Sequence, residues 1–114
     1  MAEAKTAGER PAEEAAKFFA VLSDPTRLRL LKLLLRQDES KPLCVRALAR
    51  RLDISQPAVS QHLRIMKDAG LVRGVRRGPE VHYYLDPDAL ERARNMTAEL
   101  LTVTADGEVC REQC

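Results

Sequence analysis

The sequence predicts a mainly α fold closed by a two-stranded β-wing. Three observations carry that reading. Apolar residues recur with a helical period through four successive segments up to Gly70, the period then drops to two in LVRGVRRGPEVHYYL, and a last helical segment follows Asp86-Pro87. At 114 residues and 45% hydrophobic, the chain holds one domain with a thin core. Leu, Ala and Val must build most of it, because there is no Trp and only two Phe and two Tyr.

Residues 1–10 are polar and are expected to form a disordered arm. The domain proper is read as 11–105, and 106–114 as a tail holding two of the three Cys. Pro11 opens a first helix running to about Leu22, with Ala15, Phe18, Phe19 and Leu22 on its apolar stripe. In SDPTR, Asp24 is the expected N-cap, and Pro25 takes the first helical position, where its missing N–H costs nothing. The second helix carries Leu28, Leu31 and Leu35 on one line with Leu30 and Leu34 beside it. Apolar on more than one side, it is expected at the centre of the core.

QDESKP is a loop. A third helix follows, with Val45, Leu48 and Leu52 inward and Arg46, Arg50 and Arg51 turned away. The chain then breaks at Asp53-Ile54-Ser55. Ser55 caps a fourth helix, Pro57 falls in its first turn, Val59, Leu63 and Met66 face inward, and Gly70 stops it. In the hairpin, Val81, Tyr83 and Leu85 point one way and His82 and Tyr84 the other, with RRGPE as the turn. The last helix is expected to reach about Thr104, where Asp106-Gly107 ends it.

Charge is unevenly spread. From Lys41 to His82 nine Lys/Arg meet three Asp/Glu, a net +6, whereas the remainder is ten against fourteen, a net −4. A basic middle between acidic flanks suggests a polyanion-binding face on a scaffold. The N-terminus has no apolar run of the secretory kind, and LRLLKLLLR is interrupted by Arg29, Lys32 and Arg36, so neither a signal nor a membrane span is read. A cytoplasmic location is expected, with thiols rather than disulfides. An enzyme working through Cys would need a C-x-x-C pair, an anion-cradling loop or a base beside the nucleophile, and none is present.

The third helix, the three-residue turn and the fourth helix make a helix-turn-helix, and with the hairpin a winged helix-turn-helix. Its second helix is of a size to enter the major groove. Gln56, Ser60 and Gln61 are candidates for base edges and Arg64 for guanine or phosphate. Lys67 and the helix start at Ser55 are candidates for phosphate, and His62 for packing or a phosphate contact. Arg73, Arg76 and Arg77 are read as crowding the wing tip, for the DNA backbone or a narrow minor groove. His82 is placed outward on the wing, as a backbone contact or plain surface. A solvated charged face would also show such residues, and a winged helix used only for protein contact is the alternative module.

LSDPTRLRLLKLLL, LCVRALARRLDISQPAVSQHLRIMKDAGLV and VHYYLDPDAL, in this order over roughly residues 13–104, resemble the ArsR/SmtB family of bacterial repressors. The resemblance implies a homodimer joined through the first and last helices, a palindromic double-stranded operator, and an inducer that weakens DNA binding. Arsenic-type members carry C-V-C-x-x-C where the third helix begins. Here CVRALA keeps Cys44 but has Arg46 and Ala49 at the other two positions. Zinc-type members use Asp/His pairs on the last helix, which here has no His. Cys44, Cys110 and Cys114 remain, a set suited to a trigonal soft ion such as As(III), Cd(II) or Pb(II). Cys44 with Cys110 equally resembles the two-thiol pattern of sulfide- and redox-responsive members, and Cys44 as a small buried apolar residue is the third reading.

Overall fold

The computed structural model describes residues 9–38 and 40–102. The elements run α1 (Glu9–Leu22), α2 (Pro25–Arg36), α3 (Val45–Leu52), α4 (Gln56–Asp68), β1 (Val72–Arg77), β2 (Glu80–Leu85) and α5 (Pro87–Leu101). This is the winged helix-turn-helix order. α1 begins two residues before Pro11, which therefore sits in the first turn, where its missing N–H is an orphan donor in any case. α5 stops at Leu101, short of Thr104, with Thr102 in extended backbone. The Asp106-Gly107 stop lies outside the described residues.

Three helices start in one way. Asp24, Ser55 and Asp86 stand in extended backbone just before α2, α4 and α5, each with a proline in the first two helical positions. Asp24 accepts from the Thr26 and Arg27 N–H groups at 2.8 and 3.1 Å, and Asp86 from those of Asp88 and Ala89 at 2.9 and 3.0 Å. Ser55 Oγ accepts from the Ala58 N–H at 3.2 Å. Each cap satisfies donors that the helix leaves open.

The Asp24 cap is also a pH-dependent element. The Arg27 N–H bond, chiefly, holds its carboxyl below the usual range; partial burial opposes this, while the Thr26 N–H and the charges of His62 and Arg27 add to it. A carboxyl whose pKa is lowered by folding stabilises the fold fully above its unfolded pKa, near 3.8. That contribution fades as the pH falls through the lower, folded value. Asp24→Asn, which can still cap but does not titrate, is expected to lose helix content less steeply than the parent below about pH 4, by circular dichroism. Equal acid curves would remove Asp24 from the transition.

The core centres on α2, α3 and α4. Leu30, Leu48, Val59, Leu63 and Met66 are sealed from solvent, and Leu34, Leu71 and Val72 complete the cluster. The inward stripes of α3 and α4 are thus those of the hydrophobic period. α2 departs from expectation: Leu30 and Leu34 are buried, but Leu28 and Leu35 are 49% and 55% exposed. Of the second apolar line, Leu31 packs against the core while Leu28 and Leu35 lie at the surface.

Candidate nucleic-acid interface

The turn between α3 and α4 is built by Asp53, which adopts a left-handed conformation at φ 56° and ψ 47°. Its N–H donates to Arg50 O and that of Ile54 to Ala49 O, closing the end of α3. Asp tolerates this region better than most residues. The reversal sets α4 across α3, packed through Val59 and Leu63, so that its opposite side is free.

On that free side Gln56, Ser60, Gln61, Arg64 and Lys67 are all exposed. Ser55 is exposed too, with its hydroxyl oxygen already accepting the cap bond. His62 does not join the row. It lies about 100° around the helix from Gln61, is half-buried, and its Nδ1 is enclosed without a hydrogen-bond partner among the described residues. It sits near enough to Asp24 for its charge to act on that carboxyl. His62 is thus drawn in from the exposed row.

The wing pairs Val72 with Leu85, Arg73 with Tyr84, Gly74 with Tyr83, Val75 with His82, Arg76 with Val81 and Arg77 with Glu80. Gly78 and Pro79 form the two-residue turn, and Gly78 has the positive φ, 65°, that the first position of such a turn demands. Because the turn lies at 78–79, Arg73 falls one pair from the root of the hairpin, and only Arg76 and Arg77 are at the tip. The expectation of three arginines crowding the tip is corrected accordingly. Arg73 and Arg77 share one face of the ribbon, and Arg76 the other. All three are exposed, and Arg76 also donates to Gly78 O at 3.3 Å.

His82 is likewise not the outward residue expected from alternation. Cys44, just ahead of α3, forms an isolated antiparallel bridge with it, a rudimentary third strand. The His82 side chain is only 19% exposed, its Nδ1 is enclosed without a partner among the described residues, and its Nε2 lies 3.7 Å from Glu80. Glu80 in turn accepts from Arg46 at 2.9 Å, which ties the wing to the head of α3. Arg46 and Glu80 are 34 residues apart, and nothing in the sequence couples them.

Cys44 itself occupies the N-cap position of α3, half-buried, with no side-chain cap bond. It lines an open cleft of about 390 Å³ whose other walls include Arg46, the exposed α4 residues Gln56 and Ser60, and Pro79 and Glu80 of the wing. The structure therefore brings one candidate thiol beside two candidate base readers. Cys110 and Cys114 lie outside the described residues. Among the described residues no group of three or more His, Cys, Asp or Glu side chains is placed to hold a metal ion. No described helix is long and apolar enough to cross a membrane.

The profile of the arsR family of bacterial regulatory proteins matches residues 24–73, which span α2 to the first residues of β1. An uncharacterized HTH-type transcriptional regulator of Methanocaldococcus jannaschii is 38% identical over 88 residues, covering 77% of this chain and 96% of that protein. This chain belongs to the arsR family. Its ArsR-family relatives include the arsenical resistance operon repressor of Escherichia coli, 41% identical over 71 residues; that match covers 62% of this chain and 58% of the repressor. In three dimensions, reduced HlyU of Vibrio cholerae superposes with a TM-score of 0.65 at 27% identity, over 83% of this chain and 96% of that one. This ArsR-family chain is a DNA-binding transcriptional repressor, not an enzyme.

Proposed function

We propose that the chain works as a cytoplasmic homodimer that reads a palindromic operator and releases it when a soft metal(loid) ion binds cysteine thiolates. α4 reads base edges through Gln56, Ser60 and Gln61, with Arg64 on guanine or phosphate. Ser55, Lys67, Arg73, Arg76 and Arg77 hold the backbone. His62, drawn in from the exposed row, is assigned packing rather than phosphate contact. The exposed polar row of α4 beside a basic wing is the observation that carries the reading.

Gln61→Ala or Ser60→Ala is expected to cost roughly 1–3 kcal/mol per lost base contact and to relax base preference. Arg76→Ala or Arg77→Ala is expected to weaken all sequences alike and to flatten the salt dependence. A uniform loss from both groups, measured on a panel of base-substituted duplexes, would take base reading away from α4.

Dimerisation through α1 and α5 is supported by apolar surface that one chain leaves open, with Phe19 42%, Leu100 45% and Leu101 77% exposed. Two half-sites also multiply the modest specificity of one recognition helix. A monomeric mass at micromolar concentration by light scattering would contradict it.

For the inducer, the arsenical operon repressor among the relatives supports As(III), with Cd(II) and Pb(II) as ions of like softness, held by Cys44, Cys110 and Cys114. The position of Cys44 in the cleft shared with Gln56 and Ser60 supports coupling to DNA binding. The second reading, release by an oxidant or persulfide through Cys44 and Cys110, is favoured by the HlyU neighbour, which is described as reduced. Mobility shift on the upstream intergenic DNA, with As(III), Cd(II), Zn(II) and persulfide added in turn, separates the two.

A further inference from the structure

We infer that Gln37 is a positioning residue for operator binding: its side-chain amide fixes the wing to the helix-turn-helix and so sets where the wing arginines meet the DNA backbone. The inference rests on the operator-binding reading above and adds to it a residue outside the interface.

Gln37 is the first residue past α2, half-buried, in extended backbone at φ −70° and ψ 147°. Its Nε2 donates to the backbone carbonyl of Tyr83 in β2 at 2.8 Å. Its Oε1 accepts from the backbone N–H of Leu43 at 2.9 Å. Leu43 precedes Cys44, the N-cap of α3, and the Tyr83 N–H donates back to Leu43 O at 3.4 Å. One amide thus joins the end of α2, the lead-in to α3 and the middle of the wing. A primary amide of this length offers two N–H donors and a carbonyl acceptor on one planar group, at any pH. Glu lacks the donor, and Asn is a methylene shorter.

Tyr83 is confined from its other side as well. A Cβ at Gly74, its cross-strand partner, would lie 2.9 Å from Val81 Cγ1 and 3.1 Å from Tyr83 Cε1, so the ring and its neighbour fill the space a side chain would take. The wing is therefore held at its middle, and Arg76 and Arg77 lie beyond the fixed point. Arg77 is three residues past Gly74, about 10 Å along the strand. A tilt of about 10° at the clamp moves that end by about 2 Å, enough to break hydrogen bonds to phosphate whose range is about 2.7–3.2 Å. The Arg46–Glu80 pair is exposed, so salt and phosphate compete with it; the half-buried amide, bonded to two backbone groups, is the more durable link.

The test uses Gln37→Met, which removes both bonds, and Gln37→Glu, which keeps the acceptor for Leu43 but sets a carboxylate against the Tyr83 carbonyl. In the free protein, residual dipolar couplings of residues 75–81 relative to α2 are expected to fall in both variants while those within the helices persist. In Gln37→Glu they are expected to recover as the pH falls through the carboxyl range and an O–H donor returns. Unchanged wing couplings in folded variants would overturn the inference, whatever DNA does. On operator duplex, both variants are expected to bind roughly three- to tenfold more weakly at about 0.15 M salt. The slope of log affinity against log salt should fall by about one per wing, with preference for operator over base-substituted duplex retained. In the Arg76→Ala, Arg77→Ala background, Gln37→Met should cause no further loss of slope. A lower melting temperature with unchanged slope, or losses that simply add to those of the arginines, would reduce Gln37 to ordinary stabilisation. If the parent protein bound no DNA while the couplings responded, the operator reading would fail and the clamp would stand.

Discussion

Leu63→Ala is expected to cost about 2–5 kcal/mol of folding free energy, a large part of what a domain of this size possesses. Leu63 is 1% exposed on the inner side of α4 and packs in the cluster with Leu30, Leu48, Val59 and Met66. Truncating it removes transfer free energy and leaves a void that close-packed neighbours fill only partly. The outer side of the same helix keeps Gln61 and Arg64. The variant should therefore unfold at markedly lower denaturant, yet retain the operator preference of the parent under conditions where it is folded. Gln61→Ala should do the reverse. Denaturant melts and a duplex panel on both variants check this, and a loss of preference in folded Leu63→Ala would show that the two sides of α4 are not separable.

Cys44→Ser is expected to abolish inducer-driven release while leaving operator binding intact. If a soft ion holds Cys44 together with thiols of the tail, it pulls on the residue that opens α3, the first half of the DNA-binding unit. That residue also faces the cleft with Gln56 and Ser60 and is bridged to His82 of the wing. A coupling of about 3 kcal/mol corresponds to more than a hundredfold change in affinity. Cys110→Ser and Cys114→Ser should each behave like Cys44→Ser under As(III). A response that needs only Cys44 and Cys110, triggered by oxidant or persulfide, would decide for the two-thiol reading. A triple Ser variant that still responds would place the ligand elsewhere.

Local signals accounted for the helix starts, because Asp24-Pro25, Ser55-Gln56-Pro57 and Asp86-Pro87 act within one turn of themselves. The inner stripes of α3 and α4 were legible for a similar reason: a period survives whatever the helix packs against. Errors arose where position depended on distant chain. The turn itself was legible, since Gly78-Pro79 lies inside RRGPE, but the pairing register that follows from it leaves Arg73 one pair from the root and away from the tip. His82 lost its outward place to a bridge with Cys44, 38 residues earlier. Leu28 and Leu35 face out because nothing among the described residues covers them. Gln37 carried no sequence signal at all, since a glutamine after a helix is ordinary and its two partners are backbone groups 6 and 46 residues away.

Fluorescence anisotropy of a labelled operator duplex, titrated with the protein across about 0.05–0.3 M salt beside a scrambled duplex of equal length, decides whether α4 and the wing read an operator. Affinity is expected to fall linearly on a log–log plot against salt, with a slope worth several phosphates. The operator is expected to hold an advantage of about a thousandfold or more over the scrambled duplex. Equal affinity for both duplexes, or binding that salt leaves unchanged, would contradict the assignment of α4 and the wing as an operator-reading surface.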